Sequence, residues 1–174
     1  MNHIVFQSKC QGYSHIKSDL ECQDSTLVKK TEKYAIAVVA DGHGSASYFR
    51  SSRGSLFATE AAITAIEELL ETILSDKSNM DDFCASIDKH LIQLERSVIA
   101  RWHERVEDDY SKNPFLDSEI LKVDEKHKEK YLKGERIEAA YGSTLIAVAC
   151  TDAFWFGIHI GDCLLYTSPS PRDS

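Results

Sequence analysis

The chain has 174 residues, 43% hydrophobic and 28% charged, which suits one soluble globular domain long enough to bury a core. A formal net charge of -8 argues against nucleic acid as the main partner, and no apolar run approaches the ~20 residues needed to cross a bilayer. Five scattered cysteines (Cys10, Cys22, Cys84, Cys150, Cys163), with no signal-peptide pattern at Met1-Asn2-His3-Ile4, lead us to expect free thiols in a reducing cytoplasm.

Ile4 to Lys9 is β-prone and is expected as a first strand, followed by a polar loop from Gly12-Tyr13-Ser14-His15 to Cys22-Gln23-Asp24. Thr26-Leu27-Val28 and Tyr34 to Ala40 read as two strands joined by the charged turn Lys29 to Lys33. The second is almost continuously apolar, as in a strand buried on both faces. A helix is expected from about Ser47 to Leu74, where Ala58, Ala62, Ile66, Leu69, Leu70 and Ile73 recur at three- and four-residue steps. Ser75 to Asp81 reads as a polar break. A second helix follows from about Asp82 to Val106, with Asp81 or Asp82 as N-cap and the stripe Phe83, Ile87, Leu91, Leu94, Val98 and Trp102. Pro114 is expected to open a further helix with a weak apolar face of Leu116, Ile120 and Val123. The mixed-charge run Asp124 to Lys130 reads as a solvated helix face that Gly134 ends. Leu145 to Cys150 and Ala153 to Ile160 read as paired strands turning at Thr151-Asp152.

The stretch Val38-Val39-Ala40-Asp41-Gly42-His43-Gly44-Ser45 concentrates the chemistry. A buried strand ends abruptly in an acid, two glycines and a histidine, and a long helix follows. Asp41 and a neighbouring carbonyl can hold a hard cation there while His43 moves a proton, and the glycines let backbone and ligand approach closely. Asp-Gly is also a common turn dipeptide, so an ordinary strand-to-helix turn explains this segment equally well when it is taken alone.

After Asp162 the pattern changes. Cys163 to Asp173 continues no periodicity of the chain, and eleven consecutive residues fit the translation of a transposase-type sequencing adapter, with the first index bases giving Ser174. Residues 163–174 are therefore expected to be non-native, leaving one incomplete domain over residues 1–162; a genuine C-terminal tail is the alternative.

Four separated pieces stand in order: Gly12-x-Ser14-His15 through Cys22-Gln23-Asp24, Ala40-Asp41-Gly42-His43-Gly44, Gly142-Ser143-Thr144, and Ile160-Gly161-Asp162. This series resembles the metal-dependent protein phosphatase 2C family, in particular a bacterial branch whose first motif ends Gln-Asp, and Arg50-Ser51-Ser52-Arg53-Gly54 is similar to that branch as well. The resemblance covers residues 4 to 162. It implies an α+β fold, an α-β-β-α sandwich of two antiparallel sheets flanked by helices, here cut short at its C-terminal end. It implies two manganese or magnesium ions, with Asp41 bridging both, Gly42 giving its carbonyl, and Asp24 also serving the metal site. His43 would be the general acid toward the leaving alcohol. The implied substrate is a protein phosphorylated on serine or threonine, and a cognate kinase is an implied partner in bacterial signalling. Such a site suits the reaction, because inert phosphomonoesters demand a strong nucleophile and stabilisation of charge on the phosphoryl oxygens.

The chain departs from that pattern in three places. Gln23 stands where many relatives carry an acid, and an amide is a poorer cation ligand. The family's phosphate-gripping arginine is missing from the first motif; His15 is the candidate phosphate-binding substitute, with a structural loop histidine as the plain alternative. Arg50 and Arg53 could also approach a phosphate, but on a helix they are expected on a solvated face. The family's later Asp-Gly and Asp-Asn motifs do not follow Asp162, so the chain as written is expected to be inactive and poorly soluble or unstable. Gly142-Ser143-Thr144 and Gly161-Asp162 are read first as structural. Two functions stay open: a serine/threonine phosphatase in the intact gene, or a catalytically dead relative that binds phosphoproteins as a regulatory scaffold.

Overall fold

In the computed structural model, which describes residues 4–11 and 21–161, the β-branched and apolar runs pair into one antiparallel sheet ordered β1-β2-β3-β4. Its strands are β1 Ser25–Lys30, β2 Tyr34–Ala40, β3 Leu145–Thr151 and β4 Trp155–Ile160. Both hairpins turn on a threonine. The Thr31 hydroxyl accepts the amides of Lys33 and Tyr34, and the Thr151 hydroxyl accepts those of Ala153 and Phe154, a local bond that competes with the ladder and ends it. β2 and β3 pair from Tyr34↔Thr151 to Val39↔Ile146 although all the helices lie between them in the chain.

One face of the sheet is covered. α1 (Ser51–Ile73) lays Ala58, Ala61, Ala62 and Ala65 against it, and these small side chains let Ile66, Leu70 and Ile73 reach Ile36, Val38, Ala147 and Phe156. α2 (Lys77–Ala85) adds Phe83, and α3 (Ile87–Lys112) adds Leu94 and Val98. A second cluster of Val106, Ile120, Val123, Tyr131, Ala140 and Tyr141 seats three short helices, α4 (Asp117–Ile120), α5 (Glu125–Leu132) and α6 (Ile137–Ala140), on the end of α3.

The other face of the sheet exposes Val39 and Trp155 at 47% and 63% and leaves Ile146 and Val148 half-buried. β2 is therefore not buried on both faces; its apolar outer residues simply hide the alternation in the sequence. Among the described residues there is one sheet, where the resemblance implied two.

The helix boundaries moved for local reasons. The polar stretch after α1 starts a helix, because the Asp76 carboxylate accepts the Ser78 amide at 2.9 Å and is the N-cap in place of Asp81 or Asp82. The single helix expected over 82–106 is two, broken at Ser86 (φ -140°, ψ 42°), which offsets the stripe and leaves Ile87 exposed. Pro114 opens no helix; α4 begins later, where the Glu119 carboxylate accepts the Leu116 amide at 2.8 Å. Ile120 and Val123 are buried as expected, and Leu116 is not. Ile4 to Lys9 forms no strand, and Ile4 and Phe6 face solvent. Gly134 ends α5 at φ 68°, as its position suggested.

Candidate active site

The strand registers run past the strand ends. The Gly42 amide donates to the Gln23 carbonyl at 3.2 Å, the His43 amide to the Gly142 carbonyl at 3.0 Å, and the Thr144 amide to the Asp41 carbonyl at 2.8 Å. Each bond continues the pairing sums of β1 with β2 and of β2 with β3. The same register sets Asp24 opposite Asp41, as the next pair after Ser25↔Ala40. Opposed residues share a face, and strand alternation sends both carboxylates to the side away from the helices. Gly161, at φ 95°, lies against Thr144: a β-carbon there would approach the Thr144 methyl to 2.9 Å. The described parts of all four sequence pieces thus meet at one end of one sheet. His15 and Asp162 lie outside the described residues.

Local packing explains why these residue types stand here. A β-carbon on Gly42 would come within 2.5 Å of the Gln23 carbonyl oxygen and 2.8 Å of that of Ser51, so only glycine lets the three segments close. The Ser55 hydroxyl donates to the same Gln23 carbonyl at 2.5 Å. Gln23 therefore serves this site through its backbone. The half-buried His43 ring rests on Tyr48, with centroids 4.6 Å apart. Gly142-Ser143-Thr144 acts as a clamp: its two backbone bonds fix the carbonyl of Asp41 and the amide of His43.

Asp24 and Asp41 are exposed carboxylates, and the Gly42 carbonyl adjoins them; an all-oxygen set fits hard divalent cations in kind. Two like charges facing each other across a strand pair are unfavourable until a cation joins them. Among the described residues no cluster of three or more His, Cys, Asp or Glu forms, so the set is short of a full coordination shell.

Arg50 overturns its expected place on a solvated face. It is 6% exposed, and all five of its N–H donors are used: two on the Glu119 carboxylate at 2.9 Å each, and the others on the Asn113 carbonyl, the Tyr141 hydroxyl and the Pro114 carbonyl at 2.6, 2.8 and 3.0 Å. The Tyr141 hydroxyl in turn donates to Asp109 at 2.6 Å, and Arg53 grips the same carboxylate at 2.9 Å. Arg50, with every donor committed, is not placed to hold a substrate phosphate, while Arg53 keeps a side chain that is 48% exposed. Burial works against the Arg50 charge, but Glu119 and Tyr141 more than offset it, so its pKa is raised. Burial and the bond to Asp109 push the Tyr141 phenol to about 12. Burial alone would raise both carboxyls; hydrogen bonds from Tyr141 and Arg53 hold Asp109 below its ordinary 3.8, and those from Arg50 and the Leu116 amide hold Glu119 below 4.5. Sequence reasoning missed this network. Its one local signal was Tyr141, adjoining the Gly-Ser-Thr piece.

A pH dependence follows. A carboxyl with a depressed folded pKa stabilises the fold above its unfolded pKa, and that stability is lost as pH falls through the lower, folded value. Urea midpoints are expected to hold from pH 7 to about 5 and to fall below about pH 4.5. The fall should be shallower in Glu119→Gln, whose stability at neutral pH is already reduced. Parallel curves for the two proteins would rule Glu119 out as a source of the dependence.

The sequence matches the profile of the family described as Protein phosphatase 2C over residues 11–170. The chain belongs to the protein phosphatase 2C family. Neither the curated proteins nor the solved structures return a match. The matched residues contain Asp24, the Asp41-Gly42-His43-Gly44 turn, the clamp at Gly142 to Thr144 and Gly161, which meet at the sheet end. The match also runs through residues 163–170, outside the described part. No helix among the described residues of this phosphatase 2C chain is long and apolar enough to cross a membrane.

Proposed function

We propose that this phosphatase 2C domain hydrolyses phosphoserine and phosphothreonine esters in proteins, using two manganese or magnesium ions. When bound, such ions lower the pKa of a water and take up charge on the phosphoryl oxygens. Asp24, Asp41 and the Gly42 carbonyl would hold them. The Thr144 amide fixes the Asp41 carbonyl, which steadies the turn that presents both Asp41 and Gly42. His43, held by the Gly142 carbonyl through its amide and by Tyr48 through its ring, would give a proton to the departing alcohol. The observation that carries the reading is the in-register placing of Asp24 beside Asp41 at the end where the other motifs converge. The apolar outer face with Val39, Ile146, Val148 and Trp155 supports the two-sheet sandwich, whose second sheet would cover it.

The 174-residue chain as written is expected to show little turnover, since the family's later acidic motifs do not follow Asp162 and residues 163–174 read as adapter. Resequencing the gene across codon 162 checks this: continuation into Asp-Gly and Asp-Asn motifs supports a phosphatase in the intact gene, and their absence favours the scaffold. The commitment of Arg50 to internal partners is the observation that keeps the phosphoprotein-binding scaffold in view.

Asp41→Asn is expected to weaken manganese binding to this chain by about tenfold or more, measured by calorimetric titration. In the product of the intact gene it should lower phosphopeptide hydrolysis by at least ~100-fold. Equal manganese affinity in the two proteins would remove Asp41 from the site.

A further inference from the structure

A cleft of about 470 Å³ opens on the helix side of the sheet end, across the sheet from the Asp24 and Asp41 carboxylates. Gln23, Gly44, Ser45, Ser51, Ser52 and Lys122 contribute to its wall. Its electrostatics are set by three features. The first is the start of α1, a 23-residue helix beginning at Ser51, whose N-cap residue Arg50 makes no side-chain capping bond and whose first turn holds no acid. The positive end of that helix dipole is therefore not neutralised from within its own first turn. The second is Ser51 itself. The residue is 1% exposed, its hydroxyl has no hydrogen-bond partner among the described residues, and it lies on the cleft wall. A buried hydroxyl without a partner is uncommon, and an oxyanion in the cleft would supply its acceptor. The third is Lys122, an exposed ammonium with no carboxylate partner among the described residues.

One group opposes these. Glu21 also lines the cleft, and its carboxylate accepts the Ser52 hydroxyl at 2.9 Å. It keeps the empty cleft near neutral and makes a dianion with several acceptor oxygens a better occupant than a monoanion, because only the former satisfies Ser51, the helix start and Lys122 together.

We propose that this cleft is a second oxyanion subsite, on the opposite side of the sheet end from the metal carboxylates, which takes a phosphate group carried by the protein substrate. The part that names a protein substrate rests on the phosphatase reading; the oxyanion subsite does not. A substrate segment passing over the sheet end would present one phosphate to Asp41 and His43 and a neighbouring one to Lys122 and the start of α1. The domain would then prefer multiply phosphorylated segments.

The test uses the full ¹⁵N-labelled chain with EDTA present, so that the metal carboxylates take no part. Inorganic phosphate, then a phosphoserine peptide and its unphosphorylated form, are titrated while the Ser51 and Ser52 amide resonances are followed. Saturable shifts with phosphate are expected. Lys122→Ala should weaken binding at least fivefold, Glu21→Gln should tighten it severalfold, and Lys126→Ala, on the exposed face of α5, should leave it unchanged. All the changed side chains lie on the surface, so each variant should fold. The phosphopeptide should bind at least threefold more tightly than inorganic phosphate; equal affinities would overturn the protein-borne part and assign the cleft to free phosphate. No saturable shift, or a shift indifferent to Lys122→Ala, overturns the subsite. Because manganese is excluded, failure here leaves the Asp41 titration unaffected, and failure there leaves this one unaffected.

Discussion

Gly54→Ala is expected to abolish the folded state or to destabilise it by about 3 kcal/mol or more. Helix propensity alone predicts the opposite, a gain of ~1 kcal/mol for alanine over glycine inside a helix. Tertiary contact reverses the sign. A β-carbon at Gly54 would stand 1.7 Å from the Tyr141 carbonyl oxygen and 2.6 Å from its carbon, and neither is the end of a flexible side chain. Tyr141 cannot retreat alone. Its hydroxyl is tied to Asp109 and Arg50, the preceding Ala140 carbonyl accepts the Arg50 amide at 2.9 Å, and the Gly54 carbonyl itself accepts the Trp102 indole N–H at 3.0 Å. Separating α1 from Tyr141 by the ~1.5 Å needed for ordinary contact would break several of these bonds. It would also displace Gly142, whose carbonyl holds His43. Urea unfolding followed by circular dichroism measures the effect. Stability within 1 kcal/mol of the parent would show that α1 slides freely at this point.

Arg50→Met is expected to cost about 3 kcal/mol, which for a domain of this size lowers the melting temperature by roughly 6–12 °C. Methionine matches the stem in bulk but leaves the Glu119 carboxylate without its partner and the Asn113 and Pro114 carbonyls without donors. It also removes the cation from the Phe115 ring, 4.8 Å from the guanidinium carbon. Arg50→Lys should recover only part of the loss, because one ammonium has three donors and cannot reach two carbonyls, a phenol and both carboxylate oxygens in the guanidinium's plane. Adding Glu119→Gln to Arg50→Met should relieve the unpaired charge and restore some stability. A double variant no more stable than Arg50→Met would show that the lost carbonyl bonds, not the half-buried carboxylate, set the cost.

These two positions show where local reading stops. Tyr34 to Ala40 and Leu145 to Cys150 were legible as strands, and the stripe from Ala58 to Ile73 as a helix, because strand and helix periods are written in neighbouring residues. Asp41, Gly42 and His43 were legible as a candidate site because three other pieces stood with them in family order; taken alone, an ordinary turn explained them equally well. The break at Ser86 was not legible. The apolar stripe runs across it without a change of period, and only the backbone shows the turn. Arg50 was misread for a different reason. Its partners Glu119 and Tyr141 are 69 and 91 residues away, and nothing near Arg50 announces them.

By itself the sequence determined the family, the four strands of the sheet though not the absence of one at Ile4 to Lys9, the long α1, and which residues could carry chemistry, since each depends on residue type and short spacing. The tertiary structure alone decided that Asp24 faces Asp41, that the Gly142 to Thr144 segment clamps the turn, and that Arg50 is internal. Those outcomes depend on strand register and on buried partners distant in sequence. A hydrogen bond or an ion pair forms where folding brings its two groups together, and a single sequence records each group without recording the pairing.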